Sequence, residues 1–187
     1  MIIRTWDIVY INGNREETII LESNASVIIE DKAICTVYPH DKTCHIEVRN
    51  NAIANVYGDG SVAVYDKSTA SIHGTCNAVF YDKSVGYLYD TARGTCWDES
   101  HVTAFDSSRC QAYDETIVTA RDQSQVFAYN KSLVYACSNS STIFAQDFTT
   151  ICLLDTPTLY AKASVTVFDN VTNTPKYQKE NITHEND

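Results

Sequence analysis

The chain has 187 residues, 44% of them hydrophobic and 20% charged, with a formal net charge of −10 and an isoelectric point near 4.8. That length suffices for one domain with its own core, while six glycines and three prolines leave little room for flexible linkers and no run of about 18 apolar residues is present to span a membrane. The acidic balance argues against direct binding of nucleic acid, whose phosphates would repel the chain, and is compatible with plain solubility or with attraction to a basic surface.

The first ten residues, MIIRTWDIVY, are interrupted by Asp7 and lack a small-residue cleavage site, so they do not read as a signal peptide. Partial apolar–polar alternation over residues 2–11 leads into Asn12-Gly13, a strong hairpin signal. Residues 1–16 are therefore predicted to form a capping hairpin over an exposed strand edge. Seven cysteines, an odd number without a C-x-x-C pair, fall mostly where a small buried residue is wanted. This usage predicts reduced thiols in the cytoplasm and no metal or other cofactor.

From about residue 17 to about 169 the sequence repeats every eight residues. Numbering the octad so that a small polar residue is fifth, position five holds Ser68, Cys76, Ser84, Ala92, Ser100, Ser108, Thr116, Ser124 and Ser132. Position seven holds Ala70, Ala78, Gly86, Gly94, Val102, Cys110, Val118, Val126 and Val134, and position one holds Ile72, Phe80, Leu88, Cys96, Ala104, Ala112, Ala120, Ala128 and Ala136. These columns are two residues apart, the period of a strand, so five, seven and one face inward. Position two is mostly aromatic and position three mostly Asp or Gly, a turn in which the Asp side chain is expected to accept the N–H two residues on. Downstream the frame slips by one at Ser141–Ile143–Ala145, and a shortened turn is expected to give Ala163–Val165–Val167.

A short fixed period along a whole chain marks a solenoid, and strand-turn units this small cannot be helical repeats. The prediction is an all-β fold, a single-stranded parallel β-helix with each strand lying over its equivalent one coil away. Three octads per coil would enclose a wide interior that Ser, Val and Ala could not fill, and such voids are not tolerated. Two octads, about 16 residues, set two sheets face to face over a thin core, with three per coil as the alternative. The core columns also compensate: position one is large where position seven is Ala or Gly, and the order reverses from Ala104 onward. Residues 170–187 are polar and off the beat and are predicted to be a tail.

Under two-sided winding Asp66, Asp82, Asp98 and Asp114 line one edge, and Asp90, Asp106 and Asp122 the other. Turn capping explains the column, and calcium is disfavoured because the glycine-rich nonapeptide is absent. Tyr65, Tyr81, Tyr89, Trp97 and Tyr113 stack between coils and, flanked by acids, also suit an interface. Together these twelve residues are the candidate surface for a protein partner with a basic face. Outward Ile117, Phe127, Leu133 and Tyr135 are expected to form one apolar patch, a candidate homo-oligomer contact. The five histidines are scattered, none in a catalytic motif, so no enzyme is predicted.

The run A-Y-D-x-S-x-V-x-A resembles the octapeptide-repeat β-solenoids of bacteriophages, prophages and gut bacteria, over residues 17–169. The resemblance implies architecture and says little of activity. A looser likeness in shape and charge is to acidic pentapeptide-repeat proteins, some of which mimic DNA. Together these lead to the expectation of a phage-derived inhibitor that occludes a nucleic-acid-binding surface, such as that of a bacterial defence complex. A virion or assembly scaffold is the alternative, and a carbohydrate-binding or lyase-like β-helix the third reading.

Overall fold

The computed structural model describes residues 1–169 and the strand Tyr177–Gln178. It is an all-β solenoid of two parallel sheets, each with eleven strands among the described residues. The front sheet runs from Ile2–Ile3 and Glu16–Leu21 through Val85–Leu88, His101–Ala104 and Ile117–Ala120 to Thr166–Asp169. The back sheet runs from Ile8–Ile11 through Asn77–Phe80, Arg93–Cys96 and Arg109–Ala112 to Tyr177–Gln178. Successive strands alternate between sheets, so two octads make one coil. Val85 lies beside His101 and Asn77 beside Arg93, both 16 residues apart. At about 4.8 Å per coil, ten steps make a stalk about 48 Å long. No described helix is long and apolar enough to cross a membrane.

The core is the predicted set of columns. Cys35, Val37, Val56, Ile72, Leu88, Val118, Ala120, Val134 and Ile151 are fully buried. The compensation between columns is a steric fit. A Cβ on Gly86 would lie 2.5 Å from the Phe80 ring, and one on Gly94 2.6 Å from Leu88 Cδ1. Phe80 and Leu88 at position one are thus accommodated because position seven of the same octad is glycine. The buried fifth residue closes each turn: its N–H donates to the position-two carbonyl, as in Ser100 to Trp97 at 3.2 Å. Several hydroxyls reinforce this, Ser108 donating to Phe105 O at 2.6 Å and Ser132 to Tyr129 O at 2.8 Å. The hydroxyls of Ser84, Ser100, Thr116 and Ser124 are buried without a partner.

Length differences are absorbed in turns. The long turn after Pro39 makes the Cys35-to-Ala54 step 19 residues, and the extra residue near Cys137–Ser141 makes the Val134-to-Ile151 step 17. Three expectations are corrected. Residues 1–16 form no hairpin: Ile2–Ile3 pairs in parallel with Ile20–Leu21, and Ile8–Ile11 with Ser26–Ile29. They are the first coil, and Asn12-Gly13 turns the chain from the back sheet to the front. At the other end the turn does not shorten. Ile151 pairs with Val167 and Leu153 with Asp169, so the last octad keeps its frame with Val165 fifth. Of the predicted tail, Tyr177–Gln178 pairs in parallel with Leu159–Tyr160; the rest of 170–187 lies outside the described residues. All seven cysteines are unbonded. Burial raises the Cys96 thiol well above its ordinary pKa, and Cys110 Sγ lies 3.2 Å away.

Candidate functional site

The aspartates stand in left-handed backbone conformation. Asp66, Asp82, Asp90, Asp98, Asp106, Asp114 and Asp122 have φ between 50° and 59°. Asp, Asn and Gly tolerate this region best, which is why Asn50, Asn130 and Gly74 substitute for Asp along the rows. The side chain does not serve the predicted N–H two residues on. All of these carboxylates except that of Asp114 instead reach one coil back: the Asp66 N–H donates to Asp82 Oδ2 at 3.1 Å, Asp82 to Asp98 at 3.1 Å, and Asp90 to Asp106 at 3.0 Å. The Asp106 N–H donates to Asp122 Oδ2 at 3.3 Å, and Asn130 Nδ2 to Asp114 Oδ1 at 3.2 Å. Each row is thus a ladder that ties neighbouring turns together while most of its carboxylates remain exposed.

The two edges differ beside that ladder. Next to Asp66, Asp82, Asp98 and Asp114 stand Lys67, Lys83, Glu99 and Glu115, with Lys83 Nζ 3.2 Å from Glu99 and Lys131 Nζ 3.5 Å from Glu115. These exposed pairs contribute little to stability. Next to Asp90, Asp106 and Asp122 stand the neutral Thr91, Ser107 and Gln123.

The aromatic candidates stack on both edges, but on the first the expected single ladder is broken between Tyr81 and Trp97. On the first, Tyr65 and Tyr81 centroids are 5.1 Å apart, Trp97 and Tyr113 4.3 Å, and Tyr113 and Tyr129 4.9 Å. On the second, Tyr57, His73, Tyr89 and Phe105 form a continuous stack at 4.4, 4.4 and 4.8 Å, with the Arg121 guanidinium 5.9 Å from the Phe105 centroid. Tyr65, Tyr81, Tyr89, Trp97 and Tyr113 are half-buried. Desolvation raises the Tyr65, Tyr89 and Tyr129 hydroxyls above the ordinary tyrosine pKa. His73 occupies the aromatic position two of its octad, three residues before Cys76 at position five, and that offset is the sequence signal for its place in the stack.

The apolar quartet is split. Ile117 and Leu133 are register neighbours on the front sheet, with Tyr135 beside Thr119, but Phe127 faces out from the back sheet. There it begins a third stack, Phe127–Phe144–Tyr160, at 4.8 and 4.9 Å. The reason is parity: an even number of octads keeps a residue on its sheet, and Phe127 lies an odd number from Tyr135. The outward columns of the front sheet from Ile34 to Phe168 contain no Asp, Glu, Lys or Arg. Large apolar side chains also gather exposed on the first coil, at Ile2, Trp6, Ile8 and Tyr10.

One cluster has the residue types of a catalytic triad. The long turn brings His40 and Asp41 beside Ser23, with Ser23 Oγ and Asp41 Oδ2 each 3.3 Å from His40 Nδ1. Both neighbours meet the same ring nitrogen, and the Ser23 hydroxyl itself donates to Asp41. A triad needs serine and acid on opposite nitrogens, with the base taking the serine proton. This cluster is a turn brace: Asp41 also accepts the Thr43 N–H at 2.9 Å, and these donors, Ser23 first, hold its carboxyl well below the usual range. His101 meets neither Asp98 nor Glu99. Among the described residues no three His, Cys, Asp or Glu gather as metal ligands. Comparison of the chain with protein-family models, curated proteins and solved structures gives no match.

Proposed function

We propose that this protein is a non-enzymatic binding protein whose acidic, tyrosine-rich edges occupy the basic surface of a protein partner, in the manner of a phage-derived inhibitor of a nucleic-acid-binding complex. The observation that carries the reading is the pair of ladders. Carboxylates recur once per coil along both edges, in fixed backbone positions, with stacked aromatic rings beside them. Preorganised charge of this kind costs little to order on binding, and aromatics beside it supply contact area. The charge density sets the strength: −10 over a stalk about 48 Å long is about one charge per 5 Å, against about one per 1.7 Å for duplex DNA. The edges therefore steer a partner, and the aromatic contacts hold it. The test is competition. A basic protein captured by this chain from bacterial lysate should release labelled nucleic acid as the chain is added, and the quadruple variant Asp66→Asn, Asp82→Asn, Asp98→Asn, Asp114→Asn should release less. Simultaneous binding of nucleic acid and this chain would refute occlusion.

A second reading, assembly through a second copy, is favoured by the charge-free front sheet. Nine strands by four residues give about 40 by 13 Å. A face-to-face pair would bury about 1,000 Å² in total, the lower limit for a specific interface. A concentration-dependent dimer that Leu133→Asp dissociates supports it; a chain still monomeric at about 100 μM, above any Kd that would matter here, excludes it.

A further inference from the structure

The back sheet carries an exception to the acidic pattern. Arg93 and Arg109 are register neighbours on adjacent strands, exposed and facing the same way. Like charges one coil apart repel, and four other cations are neutralised or covered: Arg49, Lys83 and Lys131 each meet a carboxylate, and Arg121 lies over a ring. Among the described residues the guanidinium groups of Arg93 and Arg109 have no ion-pair or hydrogen-bond partner. Asp90, Asp106 and Asp122, on the adjoining edge, serve as rungs of the backbone ladder.

The two arginines line a shallow hollow of about 390 Å³ with Thr91, Ser107, Gln123 and Gln125. Thr91 and Arg93 also line a second hollow, of about 360 Å³, that reaches Lys42, Thr75 and Asn77 along the stalk and includes one carboxylate, Asp59. The result is a groove with paired guanidinium groups at its centre and hydroxyl and amide side chains on either hand. Guanidinium forks match the two oxygens of a carboxylate or phosphate, and the flanking groups donate to and accept from hydroxyls. A nucleic acid matches the lining less well, because it offers phosphates and few hydroxyls to a groove lined mainly by hydroxyl and amide groups. We infer that this groove binds an acidic saccharide, its carboxylate held between Arg93 and Arg109 and its ring hydroxyls by Thr91, Ser107, Gln123 and Gln125. This groove borders the Asp90–Asp106–Asp122 edge, but its arginines stand on the back sheet, so saccharide binding and partner binding can fail separately.

The test is titration of the full chain by calorimetry and by amide NMR with galacturonate oligomers, neutral glucose oligomers and inorganic phosphate. Arg93→Gln/Arg109→Gln is compared with Lys131→Gln on the opposite edge, and equal unfolding midpoints control for folding. The galacturonate oligomer should bind saturably at about 1 mM or tighter and shift the amides of Ser107 and Gln123. The double arginine variant should bind at least about tenfold more weakly, the loss of one charge-assisted contact, and Lys131→Gln should bind as the wild type does. No saturable binding, or equal binding by the double variant, overturns the site. Equal binding of the neutral oligomer overturns the role of the arginines, and phosphate binding as tightly as the oligomer overturns the saccharide.

Discussion

The front face and the two edges of this solenoid are made from the same octads and carry opposite chemistry. From Ile34 to Phe168 the outward front columns hold no Asp, Glu, Lys or Arg, whereas the turns hold a carboxylate in nearly every coil. Stacking explains the contrast. Whatever occupies one octad position meets its equivalent about 4.8 Å away in the next coil, so a charge repeated along a column faces its like. In water such a pair costs about 0.8 kcal/mol. On the edges each Asp offsets that cost by accepting an N–H and by holding a left-handed turn; on the flat face nothing would. Charge is therefore sorted by position, and the proposed partner surfaces sort with it.

Moving charge or volume against this sorting should break the comparison in graded steps. Val118→Asp strands a carboxylate between the sheets and should cost several kcal/mol, about 4 or more, measured by urea unfolding. Gly86→Ala drives a methyl into the Phe80 ring and should cost about 1–3 kcal/mol, with part of the loss recovered by adding Phe80→Leu. Ser132→Ala removes a made hydrogen bond and should cost about 1 kcal/mol, while Ser100→Ala, whose hydroxyl has no partner, should be neutral or stabilising. Asp98→Asn should change stability least, within about 0.5 kcal/mol, because Asn keeps both the backbone preference and an acceptor for the Asp82 N–H. A large loss there would show that the charge itself stabilises the row.

The solenoid and its two-sided coil were legible because the core columns have strand period and because small side chains fill only a thin interior. The Asp column was legible as a turn, but its acceptor role was not: the bonded N–H lies 16 residues back, and a local Asx rule does not reach it. The Asn12-Gly13 signal misled for a related reason. It marks a tight turn, but whether the next strand pairs with its predecessor or crosses to the opposite sheet is decided by the columns beyond it. Phe127 was misplaced by not carrying octad parity through to the outward positions. The Ser23–His40–Asp41 cluster was invisible because its parts meet only through the longer turn after Pro39.

The acidic-edge account is tested most directly by the salt dependence of partner affinity, for the wild type and for the variant with Asp66, Asp82, Asp98 and Asp114 changed to Asn. Between about 50 and 200 mM salt, where the Debye length falls from about 14 to about 7 Å, wild-type binding should weaken severalfold and the variant should show a shallower slope. Equal slopes, or an affinity indifferent to salt, would contradict the account.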